Sequence, residues 1–311
     1  MRVKLAWILV LFGAGALLLA EFGLRWLFGF GRPLLYAADS EVGYRLAPNQ
    51  RTRRFGNRIE INQYSMRGMS IDPQPKPGTL RVLLLGDSIA NGGWWTDGEA
   101  TISALLQRRL AETGQTVEVL NASANSWGPR NEWAYVRKFG TFGSQAVVLL
   151  INTDDLFARK PTSVVVGRDR NYPDRLPPFA IVEVVSRYIL PAPDIPELKE
   201  LEKEGGDIVG RNLESIEQLH DRLQADSISL LLAMTPLKRE LPQPRDYEIE
   251  ARQRLSDFAE EREIPYINFL PLFNSIDEPE TLYRDHIHLS PLGNEQVVRE
   301  IDRVFRSLTL P

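Results

Sequence analysis

Three short runs dominated by apolar residues, Leu80–Leu85, Ala146–Ile151 and Ile228–Met234, alternate with longer segments of helical periodicity. A strand without polar alternation is buried on both faces, as in a parallel sheet covered by helices. Val117–Leu120 and Pro265–Phe269 supply two further strands. Between them, Glu99–Glu112 sets Ile102, Leu105, Leu106 and Leu110 on one side, and Pro129–Phe139, Arg211–Gln224 and Tyr247–Glu261 read as helices. A last helix starts at Ser290, a good N-cap, with Pro291 in its first turn, and runs to about Arg306. This order predicts an α/β domain whose mostly parallel sheet carries helices on both faces. Ligands of such sheets bind outside the carboxyl ends of the strands.

The amino terminus has a different character. Arg2 and Lys4 precede an apolar run from Leu5 to Ala20. At ~1.5 Å per residue that run falls short of a hydrocarbon core of ~30 Å. Continuing to Leu24 reaches a spanning length and sets Glu21, Arg25 and Trp26 near the far interface. The expectation is a transmembrane anchor over residues 1–30, with its start in the cytoplasm and the remaining chain periplasmic or extracellular. A cleaved signal peptide ending near Ala14-Gly15-Ala16 and a buried core helix are the competing readings.

Residues 31–78 form a membrane-proximal extension rich in Arg51, Arg53, Arg54 and Arg58 and closed by Pro73, Pro75 and Pro77. The spaced prolines read as a stiff connector, and Arg58–Tyr64 as a short strand. The catalytic domain is then expected over 79–311, with a proline-rich insertion at about 157–209 beside the active face.

Composition removes several function classes. The chain has no cysteine, so disulfides, thiolate metal sites and a cysteine nucleophile are excluded. Its net charge of −4, with Lys and Arg dispersed, argues against nucleic acid as a partner. No phosphate-loop spacing follows Gly86, and neither a metal nor a cofactor is implied.

Two stretches carry chemistry. Gly86-Asp87-Ser88 directly follows the Leu80–Leu85 strand, which points a serine into the ligand crevice. If a helix begins at Ile89, the Ser88 amide sits at its start, where it can stabilise an oxyanion. Asp285-His286-Ile287-His288 precedes the capped last helix. A serine hydroxyl needs a neighbouring base to become a nucleophile, and neutral imidazole serves as one. A carboxylate three residues away can orient that ring. The bland alternatives are a capped helix at Asp87-Ser88 and a polar surface loop at 285–288.

A Gly-Asp-Ser after the first sheet strand, with Asp-x-x-His near the end of the chain, resembles the SGNH/GDSL hydrolase superfamily, in particular its membrane-anchored bacterial members. The resemblance covers about residues 80–307 and rests on Gly86–Gly92 and Asp285–Gly293. It implies a three-layer α/β/α, flavodoxin-like domain with five strands. It also implies a catalytic set of Ser88 as nucleophile, His288 as base and Asp285 as its orienting acid. The family's oxyanion hole usually adds a glycine after the second strand and an asparagine after the third. Here Ser126 falls on the glycine position and Asp154 on the asparagine position, with Asn152 two residues earlier. An ionised carboxylate cannot donate a hydrogen bond. The open readings are a protonated Asp154, Asn152 as the donor, a hole of two backbone amides, or a weakened enzyme. Trp94, Trp95 and Trp127, near the crevice, are candidates for substrate contact or for packing of the insertion.

The implied activity is hydrolysis of an O-acyl ester, with an acylated carbohydrate of the cell envelope or another small ester as substrate. Acyl transfer onto an extracellular polysaccharide and a weakened glycan-binding protein are the alternatives.

Overall fold

The computed structural model describes residues 2–307. Helix α1 (Arg2–Gly23) continues as a π-helical turn, Leu24–Phe28, that ends at Gly29 with φ 77°. The segment Val3–Phe28 is long and apolar enough to cross a membrane, and none of its most apolar stretch is buried in the protein.

The sheet has five strands in the order β6-β5-β7-β8-β9, all parallel. They are β5 (Leu80–Gly86), β6 (Val117–Ser123), β7 (Ala146–Asn152), β8 (Ser229–Thr235) and β9 (Tyr266–Asn268). Alternation along β5 feeds two cores. Leu83 and Leu85 pack in the layer with Ala134 and Tyr135 of α4 (Pro129–Phe139), Ile216 and Leu219 of α7 (Ile208–Ala225) and Leu255 of α8 (Asp246–Glu261). Val82 and Leu84 pack in the other layer, with Leu106 of α3 (Ile102–Ala111), Phe269 and Phe273 of α9 (Phe269–Asn274) and Ile301 of α10 (Pro291–Phe305). The two-sided burial read from the apolar runs is thus realised as three layers.

After β5 the chain moves outward to β6, then crosses back to place β7 on the other side of β5. That reversal opens a crevice between the carboxyl ends of β5 and β7. Gly86 closes β5 at this point. A Cβ there would lie 2.4 Å from the Leu150 carbonyl oxygen and 2.8 Å from Ala90 Cβ, so only glycine fits the exit.

The extension departs from the expected connector. It folds into two hairpins, β1 (Tyr36–Asp39) with β2 (Gly43–Leu46), and β3 (Gln50–Arg54) with β4 (Asn57–Ile61). Both are fastened to the domain. The Tyr44 hydroxyl donates to the Asn125 carbonyl at 2.7 Å, and the Trp127 indole donates to the Tyr44 carbonyl at 2.9 Å. Tyr36, Leu46, Ile61 and Met66 join the core on the α4 side. In the insertion, α5 (Ala180–Val184) meets the end of α1. The Glu21 carboxylate accepts from the Ala180 and Ile181 amides at 2.8 and 3.0 Å, supplying two partners that a helix start lacks.

Candidate active site

Ser88 opens α2 (Ser88–Asn91), a single turn. Asp87 caps it, its Oδ1 accepting from the Ile89 amide at 2.8 Å. Ser88 Oγ lies 3.0 Å from His288 Nε2 and 3.2 Å from Asp87 Oδ2. The two residues come from opposite ends of the domain, and the geometry suits proton transfer from hydroxyl to ring nitrogen.

The His288 loop is held by its own backbone. Asp285 Oδ1 accepts from the Ile287 and His288 amides at 3.0 and 2.8 Å, while Oδ2 is 2.8 Å from His288 Nδ1. Partial burial raises the Asp285 pKa, but these amides and the ring outweigh it and hold the carboxyl below its usual range. An ionised Asp285 therefore accepts from Nδ1–H and leaves Nε2 free to take a proton. A bridge between Tyr283 and Leu289 closes the loop, and the Ser290 hydroxyl accepts from the Gly293 amide to start α10.

Trp95 packs on the His288 ring with centroids 4.2 Å apart, tilted 52°. The Arg284 guanidinium lies over Trp94 and Trp95, at 5.0 and 5.3 Å from the ring centres. Arg67 of the extension, buried and with its pKa pushed down to about 10 by burial, donates to the Gly93 and Thr96 carbonyls on either side of both tryptophans. Sequence reasoning did not single out Arg67. Its place in an arginine-rich extension hid it, because the neighbouring arginines are exposed or paired.

Beneath Ser88 lies a group that the sequence also concealed. Asn152 donates both amide hydrogens, to Asp87 Oδ2 and Asp155 Oδ2, each at 2.9 Å, and its Oδ1 accepts from the Asp154 amide. Asp87, Asp155 and Glu132 are all buried. Neither carboxyl oxygen of Glu132 has a hydrogen-bond partner among the described residues. Burial pushes Glu132 and Asp155 well above the usual carboxyl range, with Asp87 as a further repelling charge on both. Asp87 is raised by the same cause, against the opposing bond from the Ile89 amide.

The remaining expected site residues fall as follows. Asn152 is turned into this buried network, so its side chain has no hydrogen left for an oxyanion. Asp154 is exposed and sits 3.7 Å from Arg239, away from the cavity wall. Ser126 does line the cavity. It adopts φ 58°, the left-handed conformation that glycine would take without strain, and its hydroxyl meets Tyr172 at 3.0 Å. The Ser126 amide donates to no acceptor among the described residues. Trp94 and Trp95 line the cavity, whereas Trp127 is only 1% exposed and packs the extension onto α4. Trp127 is therefore core, because its indole N–H finds a carbonyl in the extension. His286 is exposed, its ring 3.9 Å from Asp285.

The cavity above Ser88 has a volume of about 400 Å³ and is walled by the extension and the insertion as well as by the Ser88 and His288 loops. No cluster of His, Cys, Asp and Glu able to hold a metal occurs among the described residues.

A three-layer domain with a serine at the carboxyl end of β5 and a histidine–aspartate pair across the crevice defines a serine hydrolase acting on esters. Residues 84–296 match the GDSL-like lipase/acylhydrolase family, and the chain belongs to it. No curated protein matches the sequence. Solved structures similar in fold include an acetyl xylan esterase, AlAXEase, at 17% identity and TM-score 0.49, covering 74% of this chain and 100% of that one. TesA aligns at 16% identity and TM-score 0.48, over 73% of this chain and 98% of its own. A lipase/acylhydrolase from Enterococcus faecalis aligns at 16% identity and TM-score 0.46, over 72% and 96%.

Proposed function

We propose that the protein is a membrane-anchored esterase that removes an O-acyl group from a carbohydrate of the cell envelope. In this reading Ser88, His288 and Asp285 act as nucleophile, base and orienting acid. His288 Nε2 takes the hydroxyl proton as Ser88 Oγ bonds to the ester carbonyl carbon. The carbonyl oxygen becomes an oxyanion, held by the backbone amides of Ser88 and Ser126. As the intermediate collapses, the bond to the alcohol oxygen breaks and His288 returns its proton there. Water then attacks the acyl carbon and gives a proton to His288; the bond to Ser88 Oγ breaks, His288 passes that proton to Oγ, and the acid leaves.

Two amides make a smaller hole than three donors, and one donor is worth ~3 kcal/mol of transition-state stabilisation. The single observation that carries the reading is the 3.0 Å approach of Ser88 Oγ to His288 Nε2. The anchor reading is supported by the apolar length of Val3–Phe28, whose most apolar stretch is not buried in the protein, and Arg2 and Lys4 ahead of it favour a catalytic domain outside the cytoplasm. In the test, full-length protein in detergent turns over an aryl acetate and the Ser88→Ala form does not. Equal rates in the two proteins contradict the proposal.

A further inference from the structure

The cavity wall facing the catalytic residues carries a surplus of positive charge. Arg32, Arg54 and Arg187 all line it, and among the described residues no lining one is acidic. Behind the wall sits one carboxylate, Glu183, 3% exposed. Arg54 and Arg187 both donate to its Oε1, the latter at 3.1 Å, and the Gly31 amide donates to Oε2 at 2.6 Å. Arg54 also stacks on Phe30 at 4.2 Å. One guanidinium would neutralise Glu183 and pin the extension to the insertion. A second leaves a net positive charge in a half-buried setting, where uncompensated charge is costly. Arg32, next to Gly31, is exposed to solvent where it lines the cavity, has no side-chain partner among the described residues and adds a further positive charge.

We propose that this wall is an anionic subsite, centred on Arg32 and Arg187, for a carboxylate or phosphate carried by the ester substrate. It rests on the crevice being the substrate site. Guanidinium groups bind such oxyanions through paired N–H donors, and a low-dielectric cleft strengthens the attraction. The ester sits at Ser88 between Trp94 and Trp95 and the His288 loop, while the acidic group reaches across to the arginines. A volume of about 400 Å³ accommodates an acylated acidic sugar unit.

Trp94 and Trp95 make the test direct. Quenching of tryptophan fluorescence is titrated in the full chain in neutral detergent with glucuronate, glucose 1-phosphate and glucose. At least one charged sugar should bind tenfold or more tighter than glucose. A carboxylate preference identifies an acidic saccharide, and a phosphate preference identifies a phosphate-linked one. The Arg32→Gln variant should narrow the gap at least threefold, Arg32→Lys should keep most of it, and the Arg32→Gln/Arg187→Gln pair should abolish it. Arg51→Gln, in an exposed residue paired with Glu60 outside the cavity, should leave the gap intact. Equal affinity for charged and neutral sugars, no saturable binding of any, or an undiminished gap in Arg32→Gln would overturn the subsite. Because the readout is binding, a protein that discriminates charge but hydrolyses no ester refutes the esterase reading and leaves the subsite standing.

Discussion

Two groups of carboxylates flank Ser88, and they are built in opposite ways. Asp285, on the outer loop, is partly exposed, hydrogen-bonded to two amides and a ring, and held ionised. Asp87, Asp155 and Glu132, beneath the serine, are buried and pushed toward their neutral forms; Asp87 and Asp155 share the two hydrogens of Asn152, and Glu132 has no hydrogen-bond partner among the described residues. The first arrangement makes a charge available for chemistry. The second removes charge so that a rigid floor can be packed at the ends of β5 and β7. Catalytic loss and structural loss should therefore separate along this divide.

The largest expected effect lies on the outer loop. His288→Ala should lower kcat by at least about 10⁴-fold with little change in melting temperature, as measured by aryl acetate kinetics and calorimetry. Asp285→Asn should cost about 10³- to 10⁴-fold, because the amide no longer fixes the ring's tautomer. A comparable fall in stability in either variant would erase the contrast.

On the floor the order reverses. Asn152→Ala strands two buried carboxyls and should destabilise the domain by about 3 kcal/mol, read as a loss of roughly 6–12 °C in melting temperature. A variant that melts like the parent would show that the network is not structural.

Glu132 sharpens the contrast through pH. Its folded pKa is raised, so its contribution to stability is complete below the unfolded value of about 4.3 and is lost as pH rises toward the folded value. Melting temperature should decline as pH rises above the ordinary carboxyl range, and Glu132→Gln should flatten that slope. A slope identical in both proteins would remove Glu132 from the account. The smallest effect belongs to Asp154. Exposed and beside Arg239, it should tolerate Asp154→Asn with less than about threefold change in kcat/KM.

The sequence shows the outer loop far more clearly than the floor. Asp285 and His288 are three positions apart and precede a strong helix start, so their partnership is local. The β5, β7 and β8 strands were equally plain, since burial on both faces leaves a run dominated by apolar residues. The fate of Asn152 was not visible. Whether its amide faces an oxyanion or two acids depends on side chains 65 and 3 residues away. Glu132 lies in the first turn of α4, where an acid ordinarily favours the helix start, and nothing local marks it as buried. The extension's second hairpin was hidden by its turn. Phe55 and Gly56 both take positive φ, 48° and 89°, where asparagine-glycine would have announced the reversal.

The most direct measurement is active-site labelling with a phosphonate ester, read by mass spectrometry on the full chain and on its His288→Ala variant. The account predicts a single adduct on Ser88 in the parent and a rate of labelling reduced at least a thousandfold without the imidazole. An adduct on another residue, or equal labelling of Ser88 in both proteins, would contradict the claim that this histidine draws the proton from this serine.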